Sequence, residues 1–238
     1  MGQFMEKTDT FMQKRLFAVM LGVALALATY AGDCFEGMRS DNDSTHHRVL
    51  IFGDSTLDGV ARRFADYALE NGYSIYSSVW YGATVKDWAY TTELHKLMQK
   101  VHPTFVVVSL GTNDLGYNDI SARAEAVREI LREIGNVPFV WIGPISLKAV
   151  KKDFGIVNMI RDNVGANHFY NSYNLKLSRL PDGIHPTFQA SASWVDGVAR
   201  WMNSSDSICP LPMARPKTVA KQFKHNERHT RKYKGVRK

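Results

Sequence analysis

From Arg48 onward the chain alternates short apolar runs with longer amphipathic stretches, and this alternation constrains the fold more than any other feature of its 238 residues. Strands separated by helices lie parallel, because a parallel pair needs a long crossover. Strands are expected over 48–52, 73–79, 104–109, 138–143 and 166–170, with helices near 58–71, 90–101, 120–134, 148–163 and 187–203. Val106-Val107-Val108 is an uninterrupted β-branched run, as in a central strand covered on both faces. No repeat period appears, so 48–209 reads as one α/β domain. Its 45% hydrophobic content suffices for a core. Two cysteines, Cys34 and Cys209, exclude a disulfide-dense miniprotein and a four-cysteine zinc module.

Both flanks differ from this domain. Leu16 to Gly32 runs without a charge behind Lys14-Arg15 and ends in small residues, which predicts an export signal over 1–32, with an uncleaved membrane anchor as the rival. Residues 33–47 are polar and read as a linker. At the other end, Leu211 to Lys238 carries ten Lys/Arg against one Glu, a charge of +9 that leaves −2 on the other 210 residues. The net charge of +7 therefore belongs to an appendage. Residues 210–238 are expected to be a solvated, disordered tail, with an electrostatic tether to an anionic wall polymer or membrane surface as the alternative; nucleic acid fits poorly with export. Export would also permit Cys34 and Cys209 to pair.

In open parallel sheets, functional residues gather after the carboxyl ends of strands. Three such loops stand out: Gly53-Asp54-Ser55, Gly111-Thr112-Asn113-Asp114 and Pro181-Asp182-Gly183-Ile184-His185-Pro186. Each alone reads as a turn, a helix cap or a surface ion pair. Together they supply a nucleophile, an amide and an Asp/His pair on one rim. A serine hydroxyl needs a base to take its proton, and His185 has the suitable chemistry. Asp182, three residues away, can orient that imidazole. An oxyanion needs donors already in place: the backbone N–H of Ser55, that of Gly82 after the second strand, and the Asn113 amide.

These four stations, in this order, resemble the blocks of the SGNH, or GDSL-like, hydrolase superfamily over residues 48–203. The resemblance implies a flavodoxin-like three-layer α/β/α sandwich with a five-stranded parallel sheet. It assigns Ser55 as nucleophile, His185 as base, Asp182 as its partner, and Ser55, Gly82 and Asn113 as oxyanion donors. It implies ester hydrolysis with no metal or organic cofactor. Trp80, Tyr81, Trp88, Tyr90 and Tyr117 border the loops and offer flat faces to sugar rings, with core packing as the competing use. With export and no long apolar lid insertion, they point to an exported esterase removing small acyl groups, acetyl foremost, from a glycan. A lysophospholipase or thioesterase, and a silent glycan-binding surface protein, are the alternatives.

Overall fold

The computed structural model describes residues 47–150, 153, 155–204 and 211–238. The expected export signal, all of the expected linker but His47, and both cysteines lie outside the described residues. Among the described residues no helix is long and apolar enough to cross a membrane.

Six parallel strands form one sheet: β1 (Arg48–Gly53), β2 (Ser74–Trp80), β3 (Phe105–Ser109), β4 (Phe139–Ile142), β5 (Phe169–Tyr170) and β6 (Glu227–His229), in the order β5-β4-β3-β1-β2-β6. The helices are α1 (Leu57–Asn71), α2 (Val85–Ala89), α3 (Glu93–Val101), α4 (Ile120–Ile134), α5 (Ile156–Val164) and α6 (Phe188–Met202). All five expected strands and all five expected helices form, and the short α2 adds one the periodicity did not reveal.

The run Val49-Leu50-Ile51-Phe52 is fully buried because the sheet is covered on both sides. Val49 and Ile51 pack with Val107, Val140 and residues of α1 and α6. Leu50 and Phe52, one step along, face the opposite way and join Val106, Val108, Trp141 and residues of α2 to α5. This makes three layers. Helix α1 ends where Gly72 takes a left-handed conformation (φ +74°) and donates its N–H to the Ala68 carbonyl. Helix α6 begins at Thr187, whose hydroxyl accepts from the Ala190 N–H at 3.2 Å.

The sixth strand corrects the expectation of five strands and a solvated tail. β6 pairs with the outer edge of β2, Ser78 opposite Glu227 and Trp80 opposite His229. Leu211 and Met213 are buried in the layer that holds α1 and α6. Charge density hid this because most cations of the segment are exposed, while Leu211, Met213, Phe223, His225 and Tyr233 pack against the domain.

Candidate active site

The chain reverses direction across the sheet at β1: β2 lies on one side and β3 on the other, which leaves a crevice at their carboxyl ends. Gly53 closes that end of β1 against β3, for a Cβ there would collide with the Ser109 carbonyl oxygen. The next residue fixes the turn. Asp54 is fully buried, donates its N–H to Ser109 O at 3.1 Å, and takes the Thr56 N–H and hydroxyl on Oδ1 at 2.8 and 2.7 Å. Its Oδ2 has no hydrogen-bond partner among the described residues, and burial pushes the carboxyl up to about 6. With Asp54 anchored below, Ser55 stands half-buried at the head of α1.

The segment before α6 brings His185 to it. Ser55 Oγ lies 2.8 Å from His185 Nε2, and His185 Nδ1 lies 2.7 Å from Asp182 Oδ2. An ionised carboxylate only accepts, so the Nδ1 proton goes to Asp182 and leaves Nε2 free to accept the serine hydroxyl. The other Asp182 oxygen takes the backbone N–H groups of Ile184 and His185 at 2.8 and 3.0 Å. The His185 hydrogen bond, helped by these two, holds the Asp182 carboxyl down at about 2. In this arrangement the imidazole can take a proton from Ser55 and remain oriented while charged.

The opposite wall is built from the loops after β2 and β3. Gly111 (φ +116°) opens a turn of 3-10 helix over Thr112–Asp114, which carries Asn113. Asn113 Nδ2 donates one hydrogen to the Ala83 carbonyl at 3.0 Å and has a second to give. The backbone N–H groups of Ser55 and Gly82 donate to no group among the described residues. Asp114 is buried on Arg123 and accepts the Val85 N–H at 3.1 Å, which holds the loop that contains Gly82 and Ala83 against the Asn113 turn. Burial raises the Asp114 carboxyl to about 7, against the pull of Arg123.

The aromatics divide. Trp80 and Trp88 are buried, pack edge to face on each other with centroids 5.6 Å apart, and present no face to a ligand. The expectation of stacking fails for both, because strand β2 turns Trp80 inward and α2 turns Trp88 under it. Tyr90 packs half-buried on the same core. Tyr117 is half exposed beneath the Arg123 guanidinium, 4.0 Å from its ring centre. Tyr81 is committed to protein partners: its hydroxyl donates to Asp58 at 2.9 Å and accepts from Arg228.

Arg228 is one of several site-facing residues that the sequence reading missed, all in the C-terminal segment. His225 Nδ1 accepts from the Ser77 hydroxyl at 3.0 Å, and its Nε2 donates to Asp58 at 2.9 Å. Burial pushes the Asp58 carboxyl up, but hydrogen bonds from His225 and Tyr81 outweigh it and hold the group below its ordinary value. The Arg231 side chain lies across Gly82. The signal available in the sequence was the placing of His225, His229 and Tyr233 among the cations. No group of three or more His, Cys, Asp or Glu side chains among the described residues is arranged to hold a metal ion.

This arrangement of sheet, helices and loops is a fold shared with solved esterases. Among solved structures, the fold is similar to the psychrotrophic esterase EstA from Pseudoalteromonas sp., inhibited by monoethylphosphonate, at 18% identity over 66% of this chain and 100% of that one, with a TM-score of 0.53. TesA gives 16% identity, 65% and 97% coverage and a TM-score of 0.52. A two-domain esterase, CEX, active on acetylated mannans gives 9% identity over 76% of this chain and 54% of that chain, with a TM-score of 0.52. No family model and no curated protein matches the chain.

Proposed function

We propose that this protein is an exported serine esterase that hydrolyses small acyl esters, O-acetyl foremost, on a glycan. The continuous chain from Ser55 Oγ through His185 to Asp182, 2.8 and then 2.7 Å, carries the reading. Ser55 Oγ attacks the acyl carbon as His185 Nε2 takes its proton. The carbonyl oxygen, now negative, is received by the N–H groups of Ser55 and Gly82 and the free hydrogen of Asn113. His185 then gives the proton to the departing sugar hydroxyl, leaving an acyl-enzyme. Water attacks that ester with His185 again as base, releases the acid and restores Ser55.

The similarity of fold to an esterase active on acetylated mannans supports a glycan acceptor. A completed triad disfavours the silent binding protein. One observation favours the lysophospholipase or thioesterase reading: Leu180, Ile184 and Phe188, close to His185 in the chain, are exposed by 42, 45 and 63% and offer apolar surface to a longer acyl chain. Labelling with a fluorophosphonate, followed by a panel of aryl esters from acetyl to long acyl run beside acetylated polysaccharides, tests the proposal. Ser55 labelling with a maximum at acetyl is expected. No labelling overturns the serine-esterase reading, and a maximum at long acyl transfers it to the second one.

A further inference from the structure

The C-terminal segment brings a cation to the oxyanion side of the site, and this deepens the esterase reading on which it rests. Three attachments lock the segment at the ligand end of β2. The Tyr81 N–H donates to His229 O at 2.9 Å, the Ser77 N–H donates to Asn226 Oδ1 at 2.8 Å, and His225 bridges Ser77 and Asp58. Past β6 the chain turns and lays Arg231 over Gly82: a Cβ on Gly82 would lie 2.9 Å from Arg231 Nε and 3.2 Å from its Cγ. The residue after Gly82 is Ala83, whose carbonyl receives the Asn113 amide.

The carboxylates nearby are paired, whereas the Arg231 charge, like those of Lys232, Lys234 and Arg237, is not, and it is the Arg231 side chain that lies against Gly82. Asp58 is met by His225 and Tyr81, Glu227 by Tyr76 and Lys100, and Lys238 by Glu129 and Glu133. Arg228, the other guanidinium on this side, donates to Tyr81 and lies over its ring. Arg231 is exposed and has no hydrogen bond or ion pair among the described residues. An unpaired guanidinium fork is suited to the paired oxygens of a carboxylate or phosphate.

We propose that Arg231 is a specificity-determining residue and that the preferred substrate bears an anionic group, carboxylate or phosphate, close to its acylated hydroxyl. The segment around it is the most basic of the chain, so it also draws anionic substrate toward the rim.

Position-matched monoacetylated methyl glycosides of glucose, glucuronic acid and glucose 6-phosphate test this, compared by kcat/KM at low ionic strength. The full chain is expected to favour at least one anionic ester over the neutral one by about tenfold, which is about 1.4 kcal/mol. Salt should erode the preference. Arg231→Gln should abolish that ratio, Arg231→Lys should keep part of it, and Lys221→Gln, which removes one charge elsewhere in the segment, should leave it intact. A preference for glucuronate alone or phosphate alone identifies the anion. No preference in the full chain, a ratio unmoved by Arg231→Gln, or equal losses on neutral and anionic esters overturns the proposal. Turnover of 4-nitrophenyl acetate with none of the three sugars cleaved overturns it too. Absence of both Ser55 labelling and all ester turnover is a different failure, that of the esterase reading itself.

Discussion

His225 Nε2 stands 2.9 Å from Asp58 Oδ1, so the C-terminal segment is tied to helix α1 one turn beyond Ser55. The same carboxylate holds the Tyr81 hydroxyl, and Tyr81 precedes Gly82. The segment therefore braces the loop that carries Gly82. His225→Ala leaves the buried Ser77 hydroxyl without its partner and takes one of two hydrogen bonds from Asp58 Oδ1, which should cost about 1–3 kcal/mol, read from urea denaturation. Deleting residues 224–238 should lower turnover of even a small aryl ester, because β6 and its Tyr81 contact are lost. Undiminished turnover in the truncated protein would show the segment to be only an appendage.

Asn113 has one amide hydrogen committed to Ala83 and one to give, so in the proposed oxyanion role it would donate without having to reorganise. Asn113→Ala should lower kcat by about 10²–10³ with little change in KM. Asp182→Asn, which leaves the turn in place but permits the wrong imidazole tautomer, should lower kcat by up to about 10⁴. Ser55→Ala should abolish covalent labelling. A folded Asn113→Ala enzyme with near-normal kcat on an acetyl ester would falsify the oxyanion role.

The strand ends were legible because parallel-sheet topology and turn chemistry act locally: Gly53-Asp54-Ser55 and Gly111-Thr112-Asn113-Asp114 lie where the runs stop. The Asp182 and His185 spacing was legible for the same reason. What brings Ser55 to His185, 130 residues away, is packing of α1 on α6, visible in the sequence only through family resemblance. The fates of Trp80 and Trp88 were not legible, since a bulky aromatic at a loop edge serves a core or a ligand equally well. β6 escaped because Glu227-Arg228-His229 has no apolar periodicity; backbone pairing and the His225 clamp hold it instead.

Two glycines should respond differently to a single methyl group. At Gly53 the added carbon meets the Ser109 backbone carbonyl, which is held in the sheet, so Gly53→Ala should yield insoluble or unfolded protein. At Gly82 the obstacle is the Arg231 side chain, which can move, and the cost is mainly the positive φ of +77°. Gly82→Ala should fold with a loss of about 1–2 kcal/mol, and its kcat should fall as the N–H shifts. Equal stability of the two variants in thermal denaturation would mean that the β1–β3 approach is not rigid.

Asp54 makes stability depend on pH in the direction opposite to that of a paired surface carboxylate. Its carboxyl ionises at about 6 in the folded chain because burial outweighs its hydrogen bonds from Thr56, against about 3.9 when unfolded. Between those values the native state holds a proton that the unfolded state has lost, so stability falls as pH rises through this window, by roughly 3 kcal/mol in all. Asp58 and Asp182, held below their ordinary values, act the other way at lower pH. Comparing Asp54→Asn with the parent cancels those terms. Asparagine keeps an oxygen for Thr56 and cannot ionise, so the variant should gain stability relative to the parent from pH 4 to 6 and hold that gain above it. Asp114, raised to about 7, remains in both proteins and leaves a residual slope. Urea denaturation at intervals of pH reads the difference directly; parallel curves for the two proteins across the window would mean that the Asp54 carboxyl is not shifted.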